Sequence, residues 1–267
     1  MTTQTSWRSA RITPLCELLS PARLVAHTVR LTVQILLVTS LWRALYTGTD
    51  TSAGLQEEQT VTYAVLAVLA TRIRGLDRNS ARDTVLQHVQ QGTIIYWFLR
   101  PLAPQRYYCL RAVGDQLYGS LWFLTGYAVS RLSGIVAPPA SKEAGAMFLL
   151  SLVLGQIIFH YIVLLIDMMC FWAVNNQSGV LLVVFTQNLL SGSYAPLWYF
   201  PDWFQKLSSA LPFQYTLNTP FSVYVGRLSV SEAARQNVIQ VAWILMLAIL
   251  ARRLWKLAAR QIVSQGG

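Results

Sequence analysis

Few side chains in this 267-residue sequence combine the type and the spacing that chemistry requires. His160 and Asp167 lie seven residues apart in one apolar run, so an α-helix would place both on the same face. Asp115 stands at the start of another apolar run. An imidazole or a carboxylate inside an apolar helix could pass protons or contact a polar ligand. Each could equally be structural, with the carboxylates bound to water or arginine and His160 packed as a neutral ring.

The motifs of common catalytic and metal sites are missing from the sequence. It contains no Gly-Lys dipeptide and therefore no phosphate-binding P-loop, which excludes an ATPase of that class within the chain. The three histidines are far apart and no Cys-x-x-Cys occurs, so no metal site is indicated. We therefore predict no catalytic residue, no metal ligand and no cofactor bound directly by this chain.

The composition indicates a membrane protein. Hydrophobic residues make up 54% of the chain and charged residues 12%, and the mean hydropathy is +0.42. A soluble domain carries about 25% charged residues, so that class is excluded, and a chain this apolar would not stay disordered in water. Three cysteines are too few for a disulfide scaffold. We predict an all-α polytopic membrane protein that forms a single domain over residues 1–267.

Six segments have the length and apolar character of membrane-spanning helices, which need about 20 residues each. The predicted spans cover residues 24–46, 57–73, 115–136, 144–172, 178–194 and 237–255. The second and fifth are short, and the fourth is long enough to tilt in the bilayer. Residues 1–23 would form a cytoplasmic or interfacial segment before the first span.

The distribution of basic residues predicts the orientation of these spans. With the amino terminus inside, the cytoplasmic segments hold fifteen Lys and Arg residues and the outer segments hold five. Membrane proteins carry this excess on cytoplasmic loops, so we expect both termini to be cytoplasmic and the protein to lie in the plasma (inner) membrane. The net charge of +10 has the same explanation, because the arginines lie between apolar runs and no nucleic-acid-binding module is present.

The predicted cytoplasmic connection at residues 74–111 contains an amphipathic helical pattern. Apolar positions recur at helical spacing with basic residues on other faces, and a glycine then interrupts the pattern. The side chains of this surface are Arg78, Arg82, Val85, Leu86, Val89 and Gly92. Such a helix could lie on the inner leaflet, attracted by anionic lipid, or it could dock onto a cytoplasmic partner. Composition leaves both interpretations open.

The outer segment at residues 192–234 combines four prolines with a cluster of large aromatic residues. Exposing such aromatics would lose about 1.5–3 kcal/mol each relative to burial. We therefore predict a re-entrant hairpin, with short helices near residues 201–210 and 216–225, that closes a translocation path. Its gate residues would be Pro196, Phe200, Pro201, Pro212, Phe213 and Pro220. The alternative is an ordinary aromatic belt at the membrane boundary.

Short motifs are concentrated in the first two spans, the cytoplasmic connection and the outer hairpin. They are Leu41-Trp42-Arg43-Ala44-Leu45-Tyr46, Glu57-x-x-Thr60-x-Thr62-Tyr63, Gly92-Thr93-Ile94, Leu99-Arg100-Pro101-Leu102, Phe171-Trp172, Ser191-Gly192-Ser193-Tyr194-Ala195-Pro196-Leu197, Phe200-Pro201, Leu211-Pro212-Phe213, Pro220, Gly226 and Gly266-Gly267. Through these motifs, residues 40–267 resemble type 2 ATP-binding cassette (ABC) exporter permeases, in the six-span branch catalogued as a domain of unknown function. The run at residues 192–226 is the most specific, because its prolines, glycines and aromatics match in order.

The resemblance implies a transport function that a separate protein drives. Permeases of this family pair as dimers, with an identical or related second permease, over two copies of a cytoplasmic ABC ATPase that binds ATP and Mg. The helix between spans two and three would be the coupling helix seated on that ATPase, and the outer hairpins would form the extracellular lid. The chain would then be a transport subunit and not an enzyme by itself.

The apolar spans with few buried charges indicate an amphipathic or lipid-like substrate rather than an ion or a sugar. Five polar or aromatic side chains within the spans are candidates to line its pathway, although each could equally serve helix packing. They are Tyr118, Trp122, Tyr161, Gln187 and Asn188.

Two functions of other classes compete with the exporter. A lipid-modifying membrane enzyme needs acids or histidines that converge at one leaflet, and the candidates are Asp115, His160 and Asp167. A proton-coupled secondary transporter favours internal repeats and a deep carboxylate, and no repeat is apparent. An ATPase gene beside this gene would favour the exporter.

Overall fold

The computed structural model describes residues 19–47, 51–52, 54–74, 88, 91, 93, 96, 104–169, 172 and 177–265. This part of the chain forms eight α-helices, two short 3₁₀ helices and one two-stranded ribbon. In chain order they are α1 Pro21–Leu45, β1 Thr51–Ser52, β2 Leu55–Gln56, α2 Glu57–Arg74, α3 Pro104–Leu132, α4 Lys142–Met168, α5 Gln177–Leu190, the first 3₁₀ helix Leu197–Tyr199, α6 Asp202–Ser209, the second 3₁₀ helix Gln214–Thr216, α7 Asn218–Tyr224 and α8 Val230–Gln265. Residues 1–18 of the segment predicted at residues 1–23 lie outside the described residues. The predicted coupling side chains also lie outside them; they are Arg78, Arg82, Val85, Leu86, Val89 and Gly92.

Three of these helices are long and apolar enough to cross a membrane. They are α1, α4 and the Val230–Ala258 part of α8, and they lie where the first, fourth and sixth spans were predicted. Ser141 caps the start of α4, since its hydroxyl accepts a hydrogen bond from the Ala144 N–H at 3.0 Å. The capping serine accounts for a helix that begins two residues before the predicted span.

The helices at the second, third and fifth predicted spans differ in extent from the predictions. α3 begins at Pro104 rather than at residue 115, because proline is compatible with the first turn of a helix. α2 ends at Arg74 and is 18 residues long, whereas α5 has 14 residues and ends at Leu190, before the predicted residue 194. α3 therefore takes in residues that were assigned to the cytoplasmic connection.

The core is built around α2, which is buried along most of its length. Tyr63, Val65, Leu66 and Leu69 have no exposed surface, and α2 packs between α1 and α3. Gly119 of α3 allows the close approach, because a side-chain carbon there would collide with the backbone of α2. α2 therefore lies inside the bundle and not at its edge.

A second part of the core joins α4 to α8. These two helices share the most extensive packing in the described chain. Ile158, Ile162 and Ile166, one turn apart on α4, pack with Leu247 of α8 and with Tyr215 from the second 3₁₀ helix. The apolar face of α4 thus packs against both α8 and part of the segment between α5 and α8.

The segment between α5 and α8, called here the hairpin segment (residues 191–229), is packed rather than exposed. Its α6 and α7 lie where the two short helices were predicted, at residues 201–210 and 216–225. Leu217, Phe221 and Val223 have no exposed surface. Tyr194 and Trp203 are exceptions among the aromatic residues of this segment, since 57% and 65% of them are exposed.

Candidate functional site

The tip of the hairpin segment, at Tyr215 and Thr216, reaches far between the long helices. A side-chain carbon at Gly155 would come within 2.8 Å of the Tyr215 carbonyl oxygen. Gly155 lies thirteen residues after Lys142, the first residue of α4, which at about 1.5 Å per residue is about 20 Å from that end. The Gln240 side chain of α8 donates to the same Tyr215 oxygen at 2.7 Å. The tip therefore lies near the middle of α4 and ten residues after the start of the 36-residue α8.

Arg74, the last residue of α2, binds this tip. Its guanidinium donates hydrogen bonds to the Thr216 hydroxyl and, at 3.3 Å, to the Ser191 hydroxyl. It also lies 4.7 Å from the centre of the Phe159 ring, in a favourable cation–π geometry. Arg74 is 9% exposed, so a buried arginine connects the end of α2 to the start of the hairpin segment and to its tip.

A second contact holds the start of the hairpin segment against α2. The Tyr63 hydroxyl lies 3.1 Å from both the Gly192 carbonyl oxygen and the Asn218 side-chain oxygen, and it donates to this pair. The Asn218 N–H donates to the Ser191 carbonyl at 3.1 Å. Gly192 has a φ of 75°, and a side-chain carbon there would collide with the Tyr63 hydroxyl. Glycine is therefore required at this close approach.

Two tyrosine clusters connect the hairpin segment to the end of α1, to α2 and to α3. In the first, the Tyr46 hydroxyl lies 2.7 Å from the Thr60 hydroxyl and 2.8 Å from the Tyr199 hydroxyl. In the second, the Tyr224 hydroxyl lies 2.8 Å from the Tyr127 hydroxyl and donates to the Ala137 carbonyl at 2.9 Å. Burial, and next the hydrogen bond with Tyr127, raise the pKa of Tyr224 above its ordinary value.

The predicted gate residues all lie in the hairpin segment. Pro196 precedes the first 3₁₀ helix and Pro201 precedes α6. The Phe200 ring stacks on the Phe204 ring at 4.7 Å, and Phe213 packs against both the α4–α8 cluster and the Phe204 cluster. Pro212 and Pro220 are buried. The structure therefore groups these six residues; their role as a gate stays a prediction.

The predicted pathway residues fall into separate groups. Tyr118 and Trp122 of α3 meet edge to face at 6.5 Å. Tyr161 packs in the α4–α8 cluster. Gln187 and Asn188 lie at the end of α5, next to Ser191, to which Arg74 donates: the Ser191 N–H donates to the Gln187 carbonyl, and its hydroxyl to the Asn188 carbonyl. Only this last pair lies beside the buried arginine.

His160 and Asp115 were candidates for chemistry in the sequence, and the structure shows what surrounds them. The His160 Nε2 lies 3.6 Å from the Cys109 sulfur of α3, a contact that the sequence did not predict. One carboxylate oxygen of Asp115 is buried. Among the described residues, no group of three or more His, Cys, Asp or Glu side chains could hold a metal ion.

Arg74 is the functional candidate that sequence reasoning missed. It was counted only among the cytoplasmic basic residues, together with Arg72, and nothing in the pattern separates the two. In the structure Arg72 donates to the Gln34 side chain at 2.9 Å, whereas Arg74 turns to the hairpin tip. The motif residue Ser191 was the available signal, because it stands beside a glycine at the start of the hairpin.

Comparison with known families decides what this bundle belongs to. A family model described as "ABC-2 family transporter protein" matches residues 31–266. The chain belongs to this ABC-2 family. Comparisons with curated proteins and with solved structures give no significant match.

Membership of the ABC-2 family confirms the resemblance to type 2 ABC permeases. The chain is therefore a multi-pass membrane permease component of an ABC transporter, and its partner is an ABC ATPase. Members of the ABC-2 family are transport subunits and are generally not catalytic themselves. The sequence contains no P-loop, which agrees with ATP hydrolysis by a separate ATPase chain.

Proposed function

We propose that this ABC-2 permease exports an amphipathic or lipid-like substrate from the plasma membrane. In this proposal residues 1–267 form one permease domain with six spans and cytoplasmic termini. Two such permeases, identical or related, pair over two ATPase copies that hold ATP and Mg. The excess of basic residues on the predicted cytoplasmic segments supports this orientation.

The observation that carries the proposal is the bond between Arg74 and the hairpin tip. Arg74 is the last residue of α2, and the proposed coupling region begins directly after it. Its guanidinium binds Ser191, at the start of the hairpin segment, and Thr216, at its tip. A movement of the coupling region would therefore reach the hairpin through one side chain, without a change along the whole bundle.

The proposed mechanism uses α2 as a rigid connection. α2 is helical from Glu57 to Arg74 and buried on most sides, so it moves as a unit rather than bending. ATP-driven closure of the ATPases would shift the coupling region and change the equilibrium between an inward-open and an outward-open state. In the outward-open state Arg74 releases the tip, and the hairpin with its six gate residues opens.

The proposed pathway ends beside the hairpin tip. Gln187 is 3% exposed and its side-chain nitrogen meets no acceptor among the described residues. A substrate headgroup that passes the tip would supply that acceptor. The apolar walls of α4 and α8 would accompany the substrate's tail, which supports an amphipathic cargo rather than a free ion.

Co-purification tests this function. The tagged full chain is expressed with its chromosomal neighbours, extracted in mild detergent and analysed for a co-eluting P-loop ATPase. We expect such an ATPase to co-elute and, after reconstitution with lipid, to hydrolyse ATP faster with the permease than alone. Absence of any co-eluting ATPase, together with proton-dependent or lipid-modifying activity of the purified chain, would overturn the proposal.

A further inference from the structure

Arg74 is a buried cation whose charge the described part of the chain does not neutralise. Among the residues that the structure describes, no carboxylate pairs with its guanidinium. Its hydrogen bonds go to the hydroxyls of Ser191 and Thr216, which are uncharged. An ionisable side chain inside a membrane bundle is costly and usually has a functional partner. The surroundings of Arg74 therefore indicate an anionic partner that this chain does not itself supply.

The two hydroxyls occupy the two arms of the guanidinium. The Arg74 Nη1 donates to the Ser191 hydroxyl at 3.3 Å, and the Arg74 Nη2 donates to the Thr216 hydroxyl. A carboxylate or a phosphate group binds arginine in the same manner, with two parallel hydrogen bonds to two of its oxygens. The serine and threonine oxygens thus lie where the two oxygens of an anionic group would bind.

An anion could replace these hydroxyls without breaking the hydrogen bonds that they donate. The Ser191 hydroxyl donates to the Asn188 carbonyl at 3.1 Å, and the Thr216 hydroxyl donates to the Phe213 carbonyl at 2.6 Å. Each of these carbonyls lies three residues earlier in the same stretch of chain, so these bonds move with the hydroxyls. The exchange therefore removes only their contacts with Arg74, and the anion makes charge-assisted bonds in their place.

Two glutamines close to the contacts of Arg74 also lack partners in this conformation. Gln187 lies one turn before Ser191 on α5, and Gln156 lies one turn before Phe159, whose ring contacts the guanidinium. The Gln187 side-chain nitrogen and both polar side-chain atoms of Gln156 are buried and meet no partner among the described residues. Buried polar groups are nearly always hydrogen-bonded, so the polar groups of this region are not satisfied while the tip is seated.

The site is closed in this structure. Arg74 is 9% exposed, and Ser191 and Thr216 have no exposed surface. A ligand therefore reaches the guanidinium only after the hairpin tip withdraws, which makes the tip and the ligand competitors for the same donors.

We propose that the substrate of this permease carries an anionic headgroup, a carboxylate or a phosphate, that replaces Ser191 and Thr216 on Arg74 when the tip withdraws. The inference rests on the export function proposed above and adds the charge of the cargo. The Phe159 ring, centred 4.7 Å from the guanidinium carbon, holds the arginine in position during the exchange. Return of the two hydroxyls then displaces the headgroup and closes the site.

Stimulation of ATP hydrolysis by amphiphiles of equal chain length tests the charge of the cargo. The permease and its co-purified ATPase are reconstituted in phosphatidylcholine nanodiscs and titrated with dodecyl phosphate, dodecanoate, 1-O-dodecylglycerol and dodecyltrimethylammonium. We expect the better of the two anions to give half-maximal stimulation at a concentration about tenfold lower than the neutral and cationic probes, because a hydrogen bond between charged groups changes affinity by about that factor. This comparison uses the natural protein and needs no variant to fold.

Substitutions assign the preference for anions to one side chain. Arg74→Gln removes the charge and should abolish the preference, whereas Arg74→Lys keeps the charge without the fork and should retain a smaller preference. Arg72→Gln is the matched control, because it removes a cation two residues away that donates to Gln34, and it should keep the full preference. Nanodiscs of one composition make the partition of each probe into lipid the same for all variants.

The outcomes separate this inference from the export function. A neutral or cationic probe that stimulates at the same concentration as the better anion overturns the inference alone, and so does an unchanged preference in folded Arg74→Gln protein. No stimulation by any of the four probes overturns it as well. Absence of a co-eluting ATPase marks the failure of the export function itself.

Discussion

Arg74 donates a hydrogen bond to the hydroxyl of Thr216, a residue 142 positions later in the chain. The two residues connect the end of α2 to the deepest point of the hairpin segment. A charged side chain buried among apolar helices is costly unless the structure or the function requires it. Here its hydrogen bonds go to neutral hydroxyls, so small movements of the hairpin can make or break them.

Thr216→Val tests this contact. Valine keeps the shape of threonine but removes the hydroxyl, so the guanidinium loses a charge-assisted hydrogen bond that is worth about 1.5–3 kcal/mol. The hydrogen bond that this hydroxyl donates to the Phe213 carbonyl is lost as well. We expect thermal unfolding in detergent to shift down and ATPase stimulation by substrate to fall. Thr39→Val is the control, because the buried Thr39 hydroxyl has no partner among the described residues; it should be neutral. Equal behaviour of the two variants would show that the Arg74 contact contributes nothing.

Gly155→Ala tests how tightly the tip is seated. The added carbon would lie 2.8 Å from the Tyr215 oxygen and 2.9 Å from the Thr216 oxygen, and both are backbone atoms that cannot rotate away. We expect a loss of about 1–3 kcal/mol in the free energy of unfolding, measured by thermal unfolding in nanodiscs. Gly145→Ala on the same helix meets only the Pro139 side chain at 3.4 Å and should stabilise the helix slightly. A stable Gly155→Ala protein would place the tip elsewhere.

Gly192→Ala combines backbone strain with a collision against the Tyr63 hydroxyl. We expect it to destabilise more than Gly134→Ala, whose φ of 71° imposes similar strain in open space, where about 1–2 kcal/mol is typical. Adding Tyr63→Phe removes the colliding oxygen, so the double variant should lose less stability than the sum of the two single variants. Strictly additive losses would mean that the two residues do not touch.

Cysteine labelling in a cysteine-free background tests the proposed orientation. Introduced cysteines at Ser133, which follows α3, and at Ser209, the last residue of α6, are both at exposed positions and should react with an impermeant reagent on intact cells. A cysteine at Ser80 should react only after permeabilisation. Ser208, one residue away, has no exposed surface and should stay unlabelled as an internal control. Labelling at Ser80 in intact cells would reverse the topology.

Val89→Asp tests the predicted coupling surface, which lies outside the described residues. If Val89 packs into a groove of the ATPase that excludes water, an unpaired buried carboxylate at this position costs several kcal/mol. Co-purification with the ATPase should then be lost. Val89→Ile keeps the apolar character and should retain it. If the Val89→Asp variant still co-purifies fully with the ATPase, other residues form the contact with the ATPase.

Much of the fold followed from local properties of the sequence. The apolar runs placed α1, α4 and α8, since a membrane span needs a fixed length of apolar chain. The helices α6 and α7 lie within one or two residues of the predicted ends. Pro201 directly precedes α6 and Pro220 lies in the first turn of α7, where a proline is tolerated. The predicted start of α3 was wrong, since α3 begins at Pro104 and not at residue 115.

The destination of Arg74 and the depth of the hairpin were decided by the tertiary structure alone. Arg72 and Arg74 stand two residues apart at the same helix end and are alike in sequence. They point to different partners because positions two apart lie on different faces of a helix, and only one of those faces meets the hairpin. Which face that is depends on how α2 packs against α3 at Gly119 and against the hairpin segment at Gly192. No local pattern contains a contact between residues 142 positions apart.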